Sequence, residues 1–234
     1  MKLIYIKHVY RLALDLVLPP LCVVCGRVNT WLCLPCAEEI PLAHHPICPR
    51  CGDSWADEGV CDRCRRTPLC VVPIRSAFVF KDAVRDAIHA LKYRNGREVA
   101  EPMAWRMAQA WYQQQLHGDV LVPVPLFLDR EAERGYNQAT LLARALAPQI
   151  GVPVEAGLVF RVRSTRSQAR LGVAERWVNV KGAFACSEVV DLSGVRVMLI
   201  DDVATTGATL DACAVALLTR GARSVSAFTL AHAA

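Results

Sequence analysis

The sequence predicts an α/β fold, a mostly parallel sheet with helices on both faces, preceded by a small cysteine-rich module. Three observations carry this expectation. From Pro73 onward, apolar strand-like runs alternate with segments of helical periodicity, the pattern of a parallel sheet covered on both sides. Ahead of that point, eight of the eleven cysteines fall in four C-x-x-C knuckles. The run Val197–Ile200 is apolar without alternation, as befits a strand buried on both faces. With 234 residues, 53% of them hydrophobic, there is material for one well-packed domain and a smaller module.

Charge narrows the choice of partners. The net charge of +5 permits an anionic partner without requiring one. Its placement says more: Arg161, Arg163, Arg166, Arg170 and Arg176 face a single acid, Glu175, within one segment. The opening "MKLIYIKHVYRLALDLVLPP" looks like an export signal, but Lys7, Arg11 and Asp15 interrupt its apolar run. It reads as an amphipathic helix that packs on the protein. A membrane-surface helix is the alternative, against which stands the lack of a strongly basic face. No stretch approaches the ~18 uncharged residues of a spanning helix, so a cytoplasmic, reducing location is expected.

In such a compartment paired cysteines are metal ligands more often than disulfides. Cys22 and Cys25, Cys33 and Cys36, Cys48 and Cys51, and Cys61 and Cys64 supply eight thiolates, enough for two closed four-sulfur sites of structural Zn²⁺. Gly26 and Gly52 follow two knuckles where the turn round a metal needs positive φ. Neighbouring knuckles need the shorter loop closures and favour sequential pairing; interleaved pairing is the alternative. His44 and His45 read as linker residues, and Cys70, Cys186 and Cys213 as small buried apolar residues.

The division expected is an N-terminal helix and double zinc ribbon over 1–72, then a sheet domain over 73–234. Apolar residues at 83, 84, 87, 88 and 91 predict a helix closed by Gly96, and a second helix covers roughly 99–116. Then come a buried strand "DVLVPVPL", a loop, a helix "NQATLLARALAPQI" and a short strand near Val152. After the arginine segment follow "GVRVMLIDD", a helix over about 208–220 and a strand "SVSAFTLAHA". Trp31, Trp55, Trp105 and Trp111 are expected to fill cores and the interface between modules.

In a parallel sheet, ligands bind at the carboxyl ends of strands, which is where "VMLIDDVATTGATL" places Asp201 and Asp202. The loop beyond leads into a helix whose unpaired N–H groups and dipole attract an anion, most simply a phosphate. Gly207 allows close approach, and Thr205, Thr206 and Thr209 add hydroxyl donors. Carboxylates beside a phosphate cradle make sense if they accept hydrogen bonds from a diol, as in the ribose of a sugar phosphate.

This stretch resembles the phosphoribosyl pyrophosphate (PRPP) binding motif of the type I phosphoribosyltransferases. The resemblance implies that Asp201 and Asp202 hold the ribose hydroxyls, that Ala204, Thr205, Thr206, Gly207, Ala208 and Thr209 hold the 5′-phosphate, and that Mg²⁺ bridges ribose and pyrophosphate. By the same resemblance "LVPVP", with Val124 and Pro125, lies where the family has its first strand and pyrophosphate loop. The arginine segment lies where a flexible lid closes, with Arg166, Gln168, Arg170 and Arg176 as contacts. A solvated arginine-rich hairpin is the alternative reading of that segment.

Over its whole length the chain resembles the ComF family of competence proteins, also called GntX-like, in which a double zinc ribbon precedes a phosphoribosyltransferase domain. "LKYRNGR" (91–97), "RGYNQA" (134–139, including Arg134) and "TRSQARLGVAERWVNVKGAF" (165–184) carry this narrower resemblance. It implies a role in DNA uptake during natural transformation or a related DNA process, with single-stranded DNA and uptake or recombination proteins as partners. Arginines interleaved with Tyr136 and Trp177 suit such a strand. A catalytic phosphoribosyltransferase acting on a base or amine is the second reading, and a PRPP-sensing regulator the third. The chain stops at Ala234 directly after a strand, so an acceptor pocket is expected from the zinc module or the 82–115 helices.

Overall fold

The computed structural model describes residues 19–43, 46–165 and 172–233. The predicted N-terminal helix, His44, His45, Arg166, Gln168 and Arg170 lie outside them.

Two small cysteine units come first, built alike. In each, a knuckle closes a tiny hairpin, bridged at Leu21 and Val28 in one and at Ile47 and Ser54 in the other. Gly26 and Gly52 take φ of 72° and 73°, a left-handed turn that glycine adopts without steric cost. The following knuckle opens a short helix, α1 (Leu34–Glu39) after Cys33 and α2 (Asp62–Arg66) after Cys61.

The rest of the chain forms a four-stranded parallel sheet in the order β1 (Ile74–Val79), β6 (Ser224–His232), β5 (Arg196–Ala204), β2 (Val120–Pro123). Along β5 the side chains part to opposite faces, and both faces are buried. Met198 and Ile200 enter one core with α3 (Asp82–Tyr93), α4 (Ala100–Gln113) and α6 (Gln138–Ile150). Val197 and Leu199 enter a second core under α8 (Ala208–Leu218). Trp111 of α4 meets Phe228 of β6 edge to face, ring centroids 5.8 Å apart. The first cysteine unit shares the α4 core, and the second shares the α8 core.

Several expectations change. β1 is a strand ahead of α3 that the sequence reading does not contain, so "LVPVP" is the second strand in chain order. The stretch read as a loop after β2 holds α5 (Leu128–Arg134), and the strand near Val152 is only a bridge from Val154 to Leu121. The arginine segment is flanked by an antiparallel pair, β3 (Val159–Arg161) with β4 (Phe184–Cys186), and contains α7 (Val173–Val180). Cys186 and Cys213 are buried as expected, whereas Cys70 is exposed. Trp111 is buried, but Trp105 is 37% exposed, because it faces outward from α4.

Candidate functional site

The eight knuckle cysteines gather into two tetrads, Cys22, Cys25, Cys33 and Cys36, and Cys48, Cys51, Cys61 and Cys64, with all ligand atoms of each within 4.8 Å of one another. This is the sequential pairing. Metal–sulfur bonds of about 2.3 Å in a tetrahedron demand sulfurs about 3.8 Å apart. The separations are 3.8 Å for Cys22 and Cys33, 3.7 Å for Cys25 and Cys33, and 3.7 Å for Cys51 and Cys61. Backbone N–H groups aim at the sulfurs as they would at thiolates: Cys33 N donates to Cys22 Sγ at 3.5 Å and Cys61 N to Cys48 Sγ at 3.4 Å. Burial pushes the Cys48 thiol up, but N–H donors from Cys61, Cys51 and Arg50 outweigh it and bring it to about 6. The residues present fit structural zinc.

A cleft of about 320 Å³ opens at the carboxyl edge of the sheet. β5 carries Asp201 and Asp202 onto its floor, and Val124 and Pro125, just beyond its neighbour β2, form one wall. The wall opposite is the loop into α8, with Ala204, Thr205, Gly207, Ala208 and Thr209 all facing the cleft. Gly207 has φ of 80°, and a Cβ there would stand 3.0 Å from Ile74 Cδ1, so the turn requires glycine. Thr206 sits behind this wall: it is buried, and its Oγ1 accepts from Ala208 N at 3.4 Å.

The acids are held differently. Asp202 is 4% exposed and its Oδ2 lies 2.9 Å from Lys92 Nζ, at the end of α3. Asp201 Oδ1 accepts from Asp202 N at 2.8 Å. Burial first, and the Asp202 carboxylate second, push Asp201 up to about 7. Burial works against the Lys92 ammonium, but Asp202 and Asp201 outweigh it and raise its pKa.

Arg134 and Arg176 line the cleft, joined by Arg130 and Arg161, which the sequence reading did not single out as site residues. Arg161 stacks over the Phe184 ring at 4.8 Å and donates to Thr165 Oγ1 at 2.8 Å, while its buried Nε has no hydrogen-bond partner among the described residues. Lys92 was also missed, although it lies in "LKYRNGR". That motif and "RGYNQA" interlock beside the cleft. Arg97 stacks on the Tyr136 ring at 4.6 Å and donates to Gly135 O at 3.1 Å; the Tyr136 hydroxyl donates to Leu91 O. Asn137 caps α6 through Ala139 N and donates to Val124 O, both at 2.9 Å, which fixes the β2 wall. Tyr136 is therefore buried under Arg97, and the stacking role expected of it toward a nucleic acid strand does not fit. Trp177 packs partly buried against the second core.

Comparison with known proteins finds a family match in each half of the chain. Residues 13–65 match the double zinc ribbon domain and residues 132–234 the phosphoribosyl transferase domain. The chain is 30% identical to the DNA utilization protein YhgH of Salmonella typhimurium, over 92% of this chain and 98% of that protein. It is 31% identical to the competence protein ComFC of Bacillus subtilis, over 85% of this chain and 83% of that one. The chain belongs to the ComF family. A further ComF relative is the competence protein F of Haemophilus influenzae, 36% identical over 56% of this chain and 57% of that protein. Among solved structures, the glutamine PRPP amidotransferase of B. subtilis is similar over 60% of this chain and 30% of that one, at 19% identity and a TM-score of 0.40. The ComF assignment accounts for both halves of the molecule, the paired zinc ribbons and the phosphoribosyltransferase-type fold of the parallel sheet. No helix among the described residues is long and apolar enough to cross a membrane.

Proposed function

We propose that the cleft binds PRPP, or a close sugar-phosphate relative, and that the chain acts in DNA uptake or a related DNA process. The observation that carries the ligand reading is the meeting, in one cleft, of an acidic pair, a glycine-turned loop at a helix start and four arginines. Each suits a different part of the ligand. Asp201 and Asp202 accept from the ribose hydroxyls. The loop 204–209 receives the 5′-phosphate on its N–H groups. Arg130, Arg134, Arg161 and Arg176 face the pyrophosphate, for which guanidinium forks are the natural partners. Arg166, Gln168 and Arg170 complete the lid in this reading. Mg²⁺ on the carboxylate and ligand oxygens would neutralise charge on the pyrophosphate. The domain division at 72 and 73 is part of the same proposal.

The DNA role rests on the names of the relatives, which concern DNA utilization and competence. Single-stranded DNA and uptake or recombination proteins are the partners proposed. Calorimetry tests the ligand: Mg²⁺-dependent PRPP binding is expected, and Asp201→Asn with Asp202→Asn should abolish it. Unchanged affinity in that double variant would remove the ribose assignment.

The four arginines also favour a second reading, in which pyrophosphate departs and an acceptor base or amine attacks the ribose. Positioning and charge stabilisation would then be the chain's contribution. Pyrophosphate release on incubation with PRPP, Mg²⁺ and a panel of nucleobases would establish it; no release with any acceptor leaves the ligand bound and unconsumed.

A further inference from the structure

The loop proposed to hold the phosphate does not stand alone on the sheet. Asp211, in the first turn of α8, accepts two backbone hydrogen bonds through one oxygen, from Cys70 N at 2.6 Å and Val71 N at 3.2 Å. Residues 70 and 71 belong to the short link that leaves the second zinc ribbon just after Cys64 and α2. Arg50, between Cys48 and Cys51, donates to Leu69 O in the same link at 3.0 Å.

Ile74 joins the two units from the other side. Its N–H donates to Arg50 O at 2.8 Å. A Cβ at Gly52 would meet Ile74 O at 2.6 Å, and one at Gly207 would meet Ile74 Cδ1 at 3.0 Å. One residue is therefore wedged between the two, its backbone against the zinc knuckle and its side chain against the loop. The second tetrad, Leu69, Val71, Ile74, Ala204 and Ala208 all lie in one buried core. At the far end of β6, His232 Nε2 lies 3.3 Å from Asp53 Oδ1 of the same ribbon, beside Ala204 in the register of the sheet. Among the described residues the first tetrad makes no such approach; its buried Cys22, Cys33 and Cys36 pack in the opposite core, with α4.

We propose that the second zinc ribbon sets the position of the anion-binding loop, with Asp211 and Ile74 as the positioning residues that join the two. The ligand identity in this proposal rests on the PRPP reading above. Interiors are close-packed and transmit displacement, so a ribbon that loses its metal ceases to hold the loop at the height the phosphate requires. Zinc at the second site then acts on ligand affinity, whereas zinc at the first site does not.

The test uses the full chain loaded with zinc. Asp211→Leu removes an ionised acceptor of two N–H groups and should weaken Mg²⁺-PRPP binding about tenfold with zinc content unchanged. Asp211→Asn, which keeps the accepting oxygen, should stay within about threefold of wild type. Hydrogen exchange supplies the second readout. Cys48→Ser with Cys61→Ser should empty one zinc site and speed exchange at the 205–209 amides. Cys22→Ser with Cys33→Ser should empty the other and leave those amides protected. Equal loop protection in the two cysteine variants, or wild-type protection in Asp211→Leu, overturns the coupling. If the wild-type protein does not bind PRPP, the ligand reading falls, and exchange alone decides whether ribbon and loop are joined.

Discussion

Lys92 Nζ stands 2.9 Å from Asp202 Oδ2, so one member of the acidic pair already carries a cation delivered by a helix far earlier in the chain. A bare pair of adjacent carboxylates would repel both itself and an anionic ligand. Lys92 cancels part of that charge and leaves Asp201 as the acid whose ionisation is costly.

Removing that lysine should therefore be expensive. Lys92→Met strands a buried carboxylate and is expected to lower stability by about 3 kcal/mol. Adding Asp202→Asn should restore most of the loss, because the orphaned charge goes with it. Denaturant unfolding of the two variants reads the difference; equal losses would mean that the two groups are not coupled.

Asp201 predicts a pH dependence of definite sign. Its folded value, about 7, lies above its ordinary 3.8. The folded state thus holds the proton more tightly, and ionising the group costs stability progressively as pH rises from about 4 to about 7, with no further cost above. Asp201→Asn removes this slope. Its melting temperature should match wild type near pH 4 and exceed it by roughly 9 °C at pH 8, in zinc-loaded protein without ligand. A gap that does not widen with pH would refute the assignment.

The tetrads predict metal content. Purified under reducing conditions, the chain should carry two zinc ions, one for each four-sulfur cluster. Cys61→Ser should halve that content, and a strong chelator should lower the melting temperature, since three cysteines of the first tetrad and all four of the second are built into cores of the main fold.

Tyr136 separates a structural from a recognition role. Its hydroxyl bonds Leu91 O and its ring lies under Arg97. Tyr136→Phe should cost about 1 kcal/mol of stability and leave any affinity for single-stranded DNA unchanged. A large loss of DNA affinity at wild-type stability would restore the stacking role.

What could be read from the sequence followed from short, rigid chemistry. Four identical cysteine spacings and one run of apolar, acidic, small and glycine residues each encode a local geometry, and they identified both tetrads and the loop. Lys92 and Arg161 escaped because they reach the cleft only through tertiary packing. Lys92 closes a helix whose pattern explains its buried face alone. α5 escaped because none of its residues is buried, so it has no apolar stripe to detect. β3 and β4 are too short for alternation to show. For α7 a signal was present: Glu175 Oε2 accepts from Gly172 N at 2.7 Å, the mark of a helix start three residues ahead of an acid.

The strand order carries a consequence for biosynthesis. β1 pairs with β6, and Ser76 bonds Thr229 across 153 positions of chain. Until the ribosome has released residues 224–232, β1 has no neighbour and β5 lacks one of its two. The cysteine units need only their own short loops and can capture metal as soon as they emerge. The nascent chain thus spends most of its synthesis with finished zinc ribbons and an open sheet, and a product truncated before Ser224 exposes apolar edges that invite aggregation.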